Sequence, residues 1–399
     1  MCGVKTVIAA TAAAALAVVA GCSQQGTSPP PPSVASSAGC VQNGPVVFVV
    51  SGRQKSPAPA LIGPMGCAAW HAILDEALIG IVDLDGQPHQ TLSARFSDPG
   101  VNPPTRQSDE QNYLAELASV IERTRAKYPH ADMLDALNAA GRIIHGSGAR
   151  NGTIYVEDSG LQETGPVNFR QPGMLEADPA EVVRFLAHEH ELPGLAGIKV
   201  IFVGLGDTAP PQPPLSIAQH DDLGAIWLAI AKAAGADPQL NLTPRSGIAA
   251  PGDAPPVLPV DIPVEPPWNS GQHSYTLPDT GTVGFEPNLA VFRDPSAAEN
   301  TLEPIARYLV ANPSARIELT GTTAHWGSLE GSRELSLRRA NAVKTVLVHL
   351  DARPSQILTR GLAWQFPGYQ NDRGPGGTLL PGPAEHNRSV IVTTIPESS

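Results

Sequence analysis

Several groups of residues carry side chains that do chemistry. His188-Glu189-His190 places two imidazoles around a carboxylate, the donor types that bind transition metals. Side chains two apart on a helix do not face each other, and no H-E-x-x-H spacing occurs, so the triplet reads as a solvated helix end. Asp158 and Asp207 each follow an apolar run, and Ser51 follows another. At the carboxyl ends of strands such residues line a ligand crevice; the same residue types also cap loops and form turns. Gly204-Leu205-Gly206 leads into Asp-Thr and a proline-rich stretch, which is no nucleotide loop. No G-x-S-x-G, Walker loop or C-x-x-C pair is present. No catalytic constellation, cofactor or metal is expected, and the chain reads as non-catalytic.

The elements that must position these residues fall into two blocks. Residues 46–50 are a continuous apolar, β-branched run, suited to a strand buried on both faces. Residues 91–96, 153–156 and 199–203 are further strand candidates. Residues 111–128, 133–144 and 223–234 carry apolar side chains at helical spacing. Alternating strands and helices imply an α/β domain with a mostly parallel sheet covered on both faces. The second block reads β-α-β-α-β-β: strands at 282–285, 316–320, 357–362 and 389–394, helices at 298–310 and 334–350. The intervening stretch 247–271 is proline-rich and reads as a stiff linker. The predicted layout is therefore a leader at 1–21, a Ser/Pro-rich tether at 22–42, an α/β domain at 43–246, the linker, and an α+β domain at 272–399. A net charge of −12 without basic clusters argues against nucleic acid as a partner.

The N-terminus has a basic Lys5, an apolar run over 7–20 and small residues before Cys22. The run is short for a membrane span of ~20 residues and has the parts of a secretory signal. Val19-Ala20-Gly21-Cys22 resembles the lipobox of bacterial lipoproteins. The resemblance implies cleavage before Cys22 and a lipid on its thiol, holding the exported protein on an envelope membrane; an ordinary signal peptide or an uncleaved anchor is the alternative. Cys40 and Cys67 are then left as an even pair in an oxidising compartment. Either they form a disulfide or they are two buried thiols.

The C-terminal block resembles the OmpA-like peptidoglycan-binding domain. The match rests on the segment 319–327, on Leu335-Ser336-Leu337-Arg338-Arg339-Ala340-Asn341-Ala342-Val343, which fits L-S-x-x-R-A-x-x-V, and on Asn387-Arg388-Ser389-Val390, where N-R-R-V is usual. The family grips diaminopimelate with a loop aspartate and the arginine of the helix motif. An aspartate suits the ligand's ammonium, and a guanidinium forks onto its carboxylate. Arg339 matches the arginine. Ala324 stands where the aspartate belongs, and Ser389 replaces the second arginine. The resemblance implies a peptidoglycan site built from Arg339, Thr322, Thr323, Ala324, Asn387 and Arg388. The alternative for Arg339 is a helix-surface arginine paired with a carboxylate; for the domain, it is a protein-docking scaffold that no longer binds wall. His325 and Glu330 are the nearest residues to stand in for the lost acid. The strand–helix order of the first block loosely resembles a von Willebrand factor A-like fold. That family's metal motif, D-x-S-x-S after the first strand, is Ser51-Gly52-Arg53-Gln54-Lys55 here, and two cations argue against a divalent ion. The expected job is linkage of a membrane to peptidoglycan, with the N-terminal domain binding an unknown envelope protein.

Overall fold

The computed structural model describes residues 44–98, 102–245, 249, 253–262 and 267–396. The leader, Cys22 and Cys40 lie outside the described residues. The chain divides into two compact units: one comprises the described residues up to Val167 together with Leu192–Val260, the other Asn168–Glu191 with the described residues from Asp261 onward.

The first unit is α/β. The apolar run forms β1 (Val46–Val50), buried throughout. The chain continues through α1 (Gly63–Leu74), β2 (Leu78–Asp83), β3 (His89–Arg95), α2 (Pro103–Arg123), α3 (Met133–Gly146) and β4 (Gly152–Glu157). The next helix, α4 (Pro179–His188), belongs to the second unit although it falls between strands of the first. The first unit resumes with β5 (Ile198–Val203), α5 (Ile217–Ala233) and β6 (Asp237–Asn241). Its six strands run in the order β3-β2-β1-β4-β5-β6. All neighbours are parallel except β2 and β3. Helix starts are set by side-chain caps: Asn102 on Thr105 N for α2, Asp132 on Asp135 N for α3, and a reciprocal Ser216–Gln219 box for α5.

The second unit carries β7 (Ser274–Pro278), α6 (Pro295–Ala311), β8 (Arg316–Thr322), α7 (Leu329–His349), β9 (Ile357–Ala363), α8 (Pro381–His386) and β10 (Ser389–Ile395). Its sheet order is β7-β10-β8-β9, with β8 and β9 parallel and the other pairs antiparallel. Leu302, Ile305 and Leu309 of α6 and Val343 and Leu347 of α7 pack on Ile317, Leu319, Val390 and Val392. The first strand differs from the sequence expectation. Tyr275 and Leu277 alternate inward in β7, whereas residues 282–283 lie in a turn and Phe285 makes an isolated bridge to Phe292. That turn still sends Val283 and Phe285 into the core, because the Asp279 carboxylate accepts from Phe285 N at 2.8 Å. Gly321 lets α7 lie close on β8: a Cβ there would collide with the Ser336 carbonyl. No helix among the described residues is long and apolar enough to cross a membrane.

Candidate functional site

In the first unit the residues at the carboxyl ends of the central strands do come together, but around the chain's own cations. Arg53 is buried, with Nη1 donating to Ser51 Oγ at 2.7 Å and to Asp158 Oδ2 at 3.2 Å. Its Nη2 donates to the carbonyls of His130 at 2.9 Å and Leu84 at 3.4 Å. Arg245 fills the neighbouring position. Its backbone N–H donates to Asp207 Oδ2 at 2.7 Å, and its guanidinium lies 3.7 Å from Glu157. The space left among these residues is about 20 Å³, room for about one water and no larger ligand. The crevice that Ser51, Asp158 and Asp207 suggested is thus plugged, and a divalent ion beside Asp158 does not fit, because a guanidinium already holds that place. Burial pushes Glu163 in the same cluster up to about 7, although the charge of Arg53 opposes it.

A carboxylate pair missed by the sequence reading lies at the end of β2. Ligand atoms of Asp83, Asp85 and His89 lie within 4.8 Å of one another. Here too the chain supplies the charge: Lys127 Nζ is 2.8 Å from His89 Nε2, and Asp85 accepts the backbone N–H groups of Gln87, Lys127 and Tyr128. Burial, and next the Asp85 charge, push Asp83 up to about 7.

The second unit holds a different kind of site, an open cavity of about 670 Å³, within the 300–1,000 Å³ typical of small-molecule pockets. Arg339 lines it from the buried side of α7. Its Nε donates to Leu289 O at 3.0 Å, Nη1 reaches Asp279 Oδ2 at 3.4 Å, and its guanidinium carbon lies 4.9 Å from the Phe285 ring centroid. These contacts fix the plane of the fork. Thr323 and Ala324 line the same cavity, and so does Arg388. Arg388 is clamped on two sides. Nη1 donates to Glu385 Oε2 at 2.6 Å, and Nη2 forks onto Glu181 at 2.7 and 2.9 Å. Burial opposes the charge on Arg388, but Glu385 and Glu181 outweigh it and raise its pKa. Glu385 itself is pushed up to about 7 by burial, against the pull of Arg388.

Two of the six expected residues face away from the cavity. Thr322 is fully buried, with Oγ1 2.8 Å from Asn387 O and accepting from Ser389 N at 3.1 Å. Asn387 donates to Gln370 O at 2.7 Å and to Asp372 Oδ2 at 3.1 Å. Asp372 in turn accepts from His325 N at 2.8 Å. Thr322 and Asn387 therefore brace the loop that carries Thr323 and Ala324. His325 stacks on Trp364, its ring centroid 4.0 Å away, and neither His325 nor Glu330 lines the cavity. The sequence reading missed Asp279, Glu385, the α4 cap Asp178 and the α4 residues Glu181 and Phe185, and read His188 only as a solvated helix end; all of these line it. The last four recur at helical spacing, the one local signal of a shared face. His188 sits at the exposed end of α4, 3.0 Å from Glu189.

Residues 285–376 match the OmpA family. The second unit is an OmpA-like domain. The matched stretch contains both Ala324 and Arg339 and ends before Asn387. Among solved structures, the peptidoglycan-associated lipoprotein from Burkholderia pseudomallei is similar at 20% identity, covering 31% of this chain and 92% of that one, with a TM-score of 0.23. The periplasmic domain of Helicobacter pylori MotB is similar at 18% identity over 31% and 76% of the two chains, TM-score 0.25. An outer membrane protein from Borrelia burgdorferi B31 is similar at 22% identity over 31% and 87%, TM-score 0.22. No curated protein matches the chain.

Proposed function

We propose that the cavity of the OmpA-like unit binds the diaminopimelate end of a peptidoglycan stem peptide, and that the protein is a non-catalytic linker between an envelope membrane and the wall. The observation that carries this reading is Arg339. It occupies the arginine position of the helix motif, lines a cavity of ligand size, and is held in a fixed plane by Leu289 O and Asp279. A planar fork so oriented suits a carboxylate. Thr323 and Ala324 contribute the adjoining wall, and Arg388 the second cation.

At the other end, Cys22 carries the lipid, as the Val-Ala-Gly-Cys junction implies, and Cys40 pairs with Cys67. The burial of Cys67 within α1 suits a bridge that ties the tether to the first unit. A Cys22→Ala protein is expected to lose membrane attachment. The first unit is a von Willebrand factor A-like module that binds an envelope protein. The placement of its apolar first strand at the sheet centre, between β2 and β4, supports the fold comparison. The plugged crevice favours recognition through its surface.

The test is co-sedimentation of the full chain with purified diaminopimelate-type peptidoglycan. Wild type is expected in the pellet. Arg339→Lys, which keeps the charge but loses the fork, is expected to stay largely in solution while folding normally by circular dichroism. Equal pelleting of the two proteins would refute the site. A wild type that does not pellet would favour the docking-scaffold reading, which the uncharged Ala324 and the internal clamping of Arg388 support.

A further inference from the structure

The segment 168–191 is a built part of the OmpA-like unit. Gly173 (φ 79°) packs so tightly that a Cβ would strike the Gly382 carbonyl of α8. Val182 and Leu186 bury one side of α4. The other side, with Asp178, Glu181, Phe185 and His188, lines the cavity. Glu181 is fixed there by the fork of Arg388.

The charges around the cavity are unevenly committed. Asp279 is spent on Arg339 and on Phe285 N. At the opposite wall Glu181 and Glu385 share the guanidinium of Arg388, and the more exposed Arg184 lies 3.8 Å from Glu181. Asp178 adds a third acid, using only Oδ1 to cap α4 through Ala180 N at 2.7 Å. Three carboxyls thus face two guanidiniums on the α4 side, with Asp178 Oδ2 the acceptor not used by the helix cap, while the loop position Ala324 offers no acid. Resting on the wall-binding reading above, we infer that α4 is part of the ligand site, and that Asp178 and Glu181 receive the ligand's ammonium group in place of the side chain missing at Ala324. Arg339 takes the carboxylate, and the two ends of a zwitterion are read by two segments far apart in sequence.

The experiment uses the full chain and two probes: purified diaminopimelate-type peptidoglycan, and the same wall with its free amines acetylated. Wild type should bind acetylated wall roughly tenfold to a hundredfold more weakly, the loss expected of one charge-assisted contact. Asp178→Asn keeps a good helix cap, and Glu181→Gln keeps shape. The double variant should bind native wall as weakly as wild type binds acetylated wall, and acetylation should weaken it no further. If the variants bind native wall like wild type while Arg339→Lys does not, the inference fails and the wall-binding reading stands. If the variants lose native and acetylated wall in equal proportion, α4 acts only as a brace and the inference fails. If neither wild type nor any variant binds wall, the underlying reading fails with it.

Discussion

Arg53 and Arg339 make a controlled comparison within one chain. Each is a buried arginine near the end of a sheet, each has one carboxylate partner, Asp158 or Asp279, and each touches backbone carbonyls. They differ in what surrounds them. Arg53 makes four hydrogen bonds to Ser51, Asp158, Leu84 and His130, and about 20 Å³ remains. Arg339 makes two and borders about 670 Å³. A buried cation with four of its five donors taken by its own chain and little space beside it is architecture; one held in plane but left beside open volume is available to a ligand. Residue type and burial do not distinguish the two, but the balance of donors against acceptors does.

The largest break in the comparison should come from Arg53→Ala. It leaves the Asp158 carboxylate buried without its partner, a loss that typically costs ~3–5 kcal/mol. Urea unfolding followed by a probe in the first unit should show a lower midpoint, while wall binding by the second unit is unchanged. A change under ~1 kcal/mol would mean that water or Lys55 reaches Asp158, and that the crevice is more open than described.

A smaller effect of the same cluster is read by pH. Glu163 accepts from Ala131 N at 2.5 Å, and its carboxyl is pushed up from 4.5 to about 7, chiefly by burial, with Arg53 opposing. A folded pKa above the unfolded one gives stability that is present below about 4.5 and lost as pH rises through about 7, because the folded state holds the proton longer. Asp83, raised by burial and then by Asp85, adds in the same direction. Glu163→Gln should remove on the order of 2 kcal/mol of this pH dependence between pH 4 and 8. In an Arg53→Ala background the slope contributed by Glu163 should steepen, since the one cation lowering its pKa is gone. Unfolding midpoints across that range, with and without the substitution, check both.

How far the sequence revealed these sites follows from how local each signal is. Residues 46–50 and 316–320 read as strands because burial on two faces or one writes a period into adjacent residues. β2 went unread although it is wholly buried, since Leu-Ile-Gly-Ile-Val-Asp is broken by Gly80. β6, Asp-Pro-Gln-Leu-Asn, has no apolar period at all. The α+β order of the OmpA-like unit and the place of Arg339 were legible through a helix motif. Its acid partners were not. Asp279 lies 60 residues from Arg339, and Glu181 lies 207 from Arg388. Nothing local in residues 168–191 marks them as belonging to a unit whose other members begin at Asp261. The helical spacing of Asp178, Glu181, Phe185 and His188 showed that a face existed, but not what it faced.

The smallest and most pointed change restores the missing acid. Ala324 is 4% exposed and lines the cavity. The backbone on either side of it is held, Thr323 N donating to Ala363 O at 3.1 Å and His325 N to Asp372 at 2.8 Å. In Ala324→Asp the carboxylate would share the cavity with Arg339. Binding to diaminopimelate-type wall should strengthen by about tenfold, equivalent to ~1.4 kcal/mol, provided the ammonium can reach either acid. The effect should be greater in the Asp178→Asn, Glu181→Gln background, where the new aspartate replaces rather than supplements the α4 carboxylates. Equal gains in both backgrounds would show that position 324 and α4 read different parts of the ligand. No gain in either would show that α4 has changed the cavity so far that the loop position no longer meets the wall.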